Sequence, residues 1–175
     1  MEPENGSFFV VRGFDPRGFI LEYISPFSVP YFKECSSVVE AEGYTLIELQ
    51  VVPQKGSVHV SAVIACKDPK KDVGVADCSK AHHALQPKLL SLLNKTEDEL
   101  YMEVGSPGLE RNFKNAAEFS FFTGREVRVW DKKITDWVRG IIESSDESQV
   151  NLKLEDGSIK TVAYADIAKA KFIHL

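Results

Sequence analysis

Ser106 is the first residue to invite a chemical reading. It sits in Glu103-Val104-Gly105-Ser106-Pro107-Gly108-Leu109-Glu110-Arg111, after a predicted strand, and a serine among glycines suggests acyl transfer. A nucleophile elbow has its glycines two residues either side of the serine, and it uses the backbone N–H of the next residue in the oxyanion hole. Here Gly105 is adjacent to Ser106, and Pro107 has no N–H to donate, so the pattern argues against that chemistry. His82-His83 invites a metal reading. Adjacent helical residues point about 100 degrees apart, so the pair does not present two ligands to one ion from one face. His59 and His174 stand alone on strand patterns and read as structural. Glu97-Asp98-Glu99 reads as a polar turn opening a helix rather than as paired catalytic carboxylates. Gly105 and Gly108 lack the lysine of a phosphate loop. Cys35, Cys66 and Cys78 form no Cys-x-x-Cys pair, which indicates neither a zinc site nor a disulfide framework. They read as buried free thiols. The residues predict no catalytic group, no metal and no cofactor.

What remains is geometry and positive charge. Ser106 precedes proline and is biased to extended backbone. Pro107-Gly108 suits the centre of a type II turn, after which Leu109 is expected to re-enter an apolar contact. The basic residues in and after this junction are Arg111, Lys114, Arg125, Arg128, Lys132, Lys133 and Arg139. An arginine can bridge phosphates or carboxylates with its planar fork. The competing reading is solvated charge or an intramolecular pair, such as Arg111 with Glu110 or a barrel acid. Trp130 and Trp137 flank the loop at Lys132-Lys133. They offer either a stacking surface for bases or core for a small barrel, and the core reading is preferred.

The elements that must position these groups fall into two patterns. The 175 residues carry a net charge of −5, with a pI near 5.4. That balance argues against a stand-alone, non-specific nucleic-acid binder and is compatible with docking through local patches. No apolar run approaches a membrane span, and the first residues lack a secretory signal. Residues 1–27 read either as a hairpin, with Phe8-Phe9-Val10-Val11 and Phe19-Ile20-Leu21 flanking Asp15-Pro16-Arg17-Gly18, or as a poorly ordered extension. Helical spacing of Phe32, Cys35, Val38 and Val39 predicts a helix from about 29 to 42, capped by Gly43. Strands follow at 44–52 and 58–66. In the first, Ile47, Leu49 and Val51 face one way and Leu46, Glu48 and Gln50 the other. Val58, Val60, Ala62 and Ile64 share a face of the second. A helix from about Asp77 to Leu93 carries Cys78, Ala81, Leu85, Leu89 and Leu92, with Pro87 expected to bend or interrupt it. A strand at 101–104 completes an α+β layer. From 116 onward the pattern is a short helix, then strands at 126–130, 137–143, 149–154 and 159–162. Asp156-Gly157 marks a hairpin, 164–167 a single turn, and 171–175 a closing strand. Short strands with tight turns predict a small barrel.

Read together, these residues resemble the bacterial ribosome maturation factor RimP family over about residues 29 to 175. The junction is similar to the family pattern Val-Ser-Ser-Pro-Gly-Leu-Asp/Glu-Arg-Pro-Leu, with Val104 through Phe113 in this chain. Gly43-Tyr44, Asp77-Cys78, Phe119 with Phe122, Gly124-Arg125-Glu126-Val127, and Ile167 with Lys169-Ala170 match in order and spacing. The chain departs from the pattern at Gly105 (usually serine), Asn112 (usually proline) and Phe113 (usually leucine). Losing the proline should make the linker less stiff.

The resemblance implies an α+β chain of two domains, a KH-like domain at 28–104 and an SH3-like or Sm-like β-barrel at 115–175. Residues 105–114, including Ser106, Pro107, Gly108, Leu109 and Arg111, join them. It further implies a cytoplasmic, monomeric, non-catalytic factor that binds the immature small (30S) ribosomal subunit late in assembly, through rRNA and/or a basic ribosomal protein. No cofactor, membrane or small-molecule substrate is implied. The alternative is a protein–protein adaptor that grips a peptide with the barrel.

Overall fold

The computed structural model describes residues 14–15, 18–19 and 21–173. Phe8 to Val11 and His174 lie outside the described residues. Two short strands, β1 (Phe14–Asp15) and β2 (Gly18–Phe19), pair antiparallel. The remainder divides into two compact units. One is Ser25–Pro107, and the other joins the chain up to Ile24 with Gly108–Leu175.

The first unit is α+β. After a 3-10 turn at Pro26–Ser28 come helix α1 (Phe32–Ala41), strands β3 (Tyr44–Gln54) and β4 (Ser57–Cys66), helix α2 (Val75–Leu93), a 3-10 turn at Glu97–Glu99, and strand β5 (Leu100–Gly105). The sheet order is β3-β4-β5. β3 and β4 form an antiparallel hairpin. β5 runs parallel to β4, a pairing that requires a crossover, here supplied by α2. Phe32, Cys35 and Val39 of α1 and Ala81, Leu85 and Leu89 of α2 are buried, as their spacing predicts. Val58, Val60, Ala62 and Ile64 are buried on β4.

Two local expectations are corrected here. Leu46 was assigned to the face opposite Ile47 and Leu49, yet all three are buried. The pairing register shifts between Leu46 and Glu48, so a bulge at Ile47 resets the alternation. Pro87 does not interrupt α2, which runs unbroken from Val75 to Leu93. The backbone acceptor it leaves without a helical donor is the carbonyl of His83. Pro87 and His83 are both exposed, so water can serve that carbonyl. Of the thiols, Cys35 alone is fully buried, and burial pushes it up to about 11.

The second unit contains helix α3 (Glu118–Phe121) and strands β6 (Glu126–Asp131), β7 (Asp136–Ser145), β8 (Gln149–Lys153), β9 (Ile159–Ala163) and β10 (Ile167–Phe172), with a 3-10 turn at Tyr164–Asp166. The five strands are antiparallel in the order β10-β6-β7-β8-β9. Their inward positions, among them Val127, Val129, Val138, Ile142, Val150 and Leu152, are buried. A Cβ at Gly140 would lie 2.9 Å from the Lys153 carbonyl oxygen, so glycine is what lets β8 approach β7 there. Phe113, Phe119, Phe122 and Phe172 close the core with ring centroids 4.7–5.6 Å apart. The closing strand was expected at 171–175 and is found at Ile167–Phe172. A register break between Ile167 and Lys169 spaces the buried residues Ile167, Ala170 and Phe172 three and then two apart, which hides the strand period.

The stretch Leu21–Ile24 is fastened to this second unit. Leu21 is 2% exposed. Asn115 accepts a hydrogen bond from the Ile24 N–H at 3.0 Å and donates one to the Ile24 carbonyl at 2.7 Å.

In the first unit the Tyr44 hydroxyl donates to Asp77 Oδ1 at 2.5 Å, tying the start of β3 to the first turn of α2. Asp77 Oδ2 also accepts from the Gly74 N–H at 2.8 Å. The bond to Asp77, then burial, raise Tyr44 from 10.0 to about 12. The bonds from Tyr44 and Gly74 hold Asp77 below its ordinary 3.8. The stabilisation from Tyr44 is therefore complete below pH 10.0 and is lost as pH rises toward about 12. That from Asp77 is complete above pH 3.8 and is lost as pH falls through its lowered value. Tyr44→Phe is expected to lower the urea midpoint most near neutrality, with the difference from the parent narrowing in strong acid and strong alkali. Far-UV circular dichroism at a series of pH values checks this.

Candidate functional site

The junction residues divide between conformational and buried roles. Gly108 has φ +84°, a conformation that suits glycine, as the Pro-Gly signal predicts. The hydrogen-bonded turn itself falls two residues later, at Leu109-Glu110. Leu109, expected in an apolar contact, is 47% exposed. Ser106 is exposed.

Arg111 was a candidate contact for phosphate, but it is only 8% exposed. Its Nε lies 2.5 Å from Glu118 Oε1, and both side chains are buried. Burial removes Arg111 from any docking face. Glu118 Oε2 accepts from the N–H groups of Lys114 (3.0 Å) and Asn115 (3.1 Å). One carboxylate therefore organises the segment 111–118. That segment is also stitched to β10: the Phe113 N–H bonds the Ala170 carbonyl, and the Phe172 N–H bonds the Arg111 carbonyl.

The other basic residues scatter. The Lys114 side chain is exposed at this turn. The Arg125 guanidinium lies 4.2 Å from the Phe172 ring centroid, beside the aromatic core. Lys132 and Lys133, in the loop after β6, are tied to the turn at Tyr164–Asp166. Lys132 donates to the Ala165 carbonyl at 3.3 Å, and Lys133 pairs with Asp166 at 3.2 Å.

Arg128 and Arg139 are brought together. They are direct partners on β6 and β7, and the next pair on the same face is Trp130 with Trp137. On the other side of β6, Lys171 pairs with Arg128 and Lys169 with Trp130. Direct partners in an antiparallel pair project to the same face, so the outer face of β10-β6-β7 carries two rows. One is Lys171–Arg128–Arg139, and the other is Lys169–Trp130–Trp137. The indoles are half-buried and meet edge to face at 5.5 Å. They are on the outside of the sheet, not in the core as expected. The Arg128 guanidinium lies 4.6 Å from the Trp137 ring centroid, and Arg139 pairs with Glu126 at 2.7 Å.

The sequence reading missed Lys169 and Lys171. The signal that finds them is strand parity with Arg128 and Trp130, available only once β10 is placed at Ile167–Phe172. Elsewhere, His59 stacks on Tyr101 at 5.0 Å. The pair lines a concavity of about 480 Å³ with Gln50, Ser61 and Glu103 on the face of the three-stranded sheet. His83 Nδ1 is 2.9 Å from the Ser79 carbonyl. Among the described residues no cluster of His, Cys, Asp and Glu has the makings of a metal site, and no helix is long and apolar enough to cross a membrane.

Removing one partner of a buried ion pair leaves an uncompensated charge, which costs about 3–5 kcal/mol. Glu118→Ala is expected to destabilise the second unit by about that much. The double variant Arg111→Met/Glu118→Ala should recover most of the loss. Urea titrations followed by tryptophan emission report this unit alone, because both tryptophans of the chain lie in it.

Residues 34–110 match the family model described as the RimP N-terminal domain. The matched stretch runs from the first turn of α1 through β5 to Glu110. Over that stretch the chain is similar to the N-terminal domain of the RimP family.

Proposed function

We propose that this protein binds the immature small (30S) ribosomal subunit and assists its late assembly without catalysis. The observation that carries the reading is the RimP N-terminal domain at residues 34–110. In this reading the unit Ser25–Pro107 is the KH-like domain, the five-stranded unit is an SH3-like or Sm-like barrel, and residues 105–114 link them. The factor works in the cytoplasm as a monomer and takes rRNA, a basic ribosomal protein or both as partners. Binding holds a region of the precursor in a productive arrangement and shifts a population of conformers instead of making or breaking bonds. A basic-aromatic face on a chain of net charge −5 is consistent with docking through a local patch.

Co-sedimentation with small-subunit precursors from cells lacking the factor tests the proposal. Enrichment on immature over mature particles is expected. Equal partitioning onto both, or onto neither, sinks it. Repeating the binding across a salt series separates this function from a peptide-gripping adaptor. Phosphate contacts predict a steep loss with salt, and an apolar peptide groove a shallow one.

A further inference from the structure

The row Lys171–Arg128–Arg139 breaks a rule of sheet construction. Neighbouring strands lie about 4.8 Å apart, and like charges placed directly opposite one another destabilise a sheet. Here Arg128 faces Lys171 on one side and Arg139 on the other. Of these three, only Arg139 has a carboxylate partner among the described residues, Glu126. Arg128 leans on the Trp137 ring. Among the described residues Lys169 and Lys171 enter no ion pair. Yet residues 108–175 hold as many acidic as basic side chains, so acids were there to interleave. Several, including Asp146, Glu147, Glu155 and Asp156, occupy the turns flanking β8 instead. Local rules are broken in this way where a surface is built for a ligand.

The adjoining row supplies indole surface, with Trp130 and Trp137 half-buried on the same face. A ligand that relieves both features carries regularly spaced negative charge alongside flat, stackable groups. Single-stranded RNA does so, because its unpaired bases are free to stack on aromatic side chains while its phosphates meet cations. A duplex hides those base faces, and a peptide of acidic residues alone brings carboxylates without flat rings. We propose that the outer face of β10-β6-β7 docks single-stranded RNA, with phosphates along Lys171, Arg128 and Arg139 and bases against Trp130 and Trp137. This rests on the small-subunit reading and names the chemistry that this face takes from the precursor.

The test uses the full chain and a fluorescein-labelled oligouridylate, followed by polarisation and by tryptophan emission. Both tryptophans of the chain lie on the face, so binding is expected to quench their emission. Trp130→Ala and Arg128→Gln should each weaken binding about tenfold, and Arg128→Gln should lower the salt slope by about one. Lys169→Gln, which removes only an exposed charge, should weaken binding and keeps the test decisive if Trp130→Ala fails to fold. Duplex RNA and polyglutamate should compete poorly. Binding without quenching, unchanged affinity in folded variants, or polyglutamate competing as well as RNA overturns the proposal. A parent protein that ignores oligouridylate yet co-sediments with precursors sinks the RNA surface and leaves the small-subunit reading intact. One that binds oligouridylate but not precursors does the reverse.

Discussion

The second unit depends on one carboxylate. Glu118 is buried and takes three donors, the Arg111 guanidinium and the N–H groups of Lys114 and Asn115. Charge-assisted bonds of this kind are short and directional, and a buried charge persists only when its partners are satisfied. With Glu118 in place, the chain after Leu109 curls so that Phe113 enters the aromatic core and residues 111–113 lie along β10. Asn115, held at the same turn, receives the backbone of Ile24. Two distant stretches of sequence are thus secured to the sheet within a few residues of one anion.

That arrangement bears on the basic-aromatic face through β10. As the last strand in the order β10-β6-β7-β8-β9, β10 would otherwise present an edge of unsatisfied backbone groups. The bonds from Phe113 and to Arg111 occupy part of that edge. Inward-facing Ala170 and Phe172 bury the strand. With its inner face and edge fixed, the outer residues Lys169 and Lys171 are held in register with Trp130 and Arg128. Core packing on one side of the strand sets charge spacing on the other, because side chains alternate with period two.

The fold was legible wherever the apolar period ran without a break. The helix stripes of Phe32, Cys35 and Val39 and of Ala81, Leu85 and Leu89, and the alternation along β4, all appear as buried faces. Errors fell where one residue disturbs the period. The bulge at Ile47 brought Leu46 inward, and the register break after Ile167 disguised β10. The candidate site was less legible for a different reason. Arg111 reads as any other basic residue until Glu118 is seen beside it, and an ion pair seven residues apart across a turn has no periodic signature. Trp130 and Trp137 were assigned to the core by residue type, although parity with Glu126 and Arg128 already placed Trp130 on the outer face. Where residue type and strand parity conflict on a short strand, parity is the stronger guide, because it follows from backbone geometry and not from average preference.

The acidic balance of the chain looks at odds with an RNA-facing surface, but the two act over different distances. At physiological ionic strength the Debye length is about 8 Å. A phosphate at the outer face therefore responds to the row of cations beneath it more than to acids in turns beyond β8. The overall negative charge opposes loose association with any polyanion at long range, while the local row rewards a ligand that reaches it. Indole stacking adds a term that salt does not screen and that duplex RNA cannot supply. A net-acidic protein bearing one basic, aromatic strip is accordingly poor at gripping nucleic acid at random. The proposed surface would favour a strand whose bases are unpaired over one locked in a duplex.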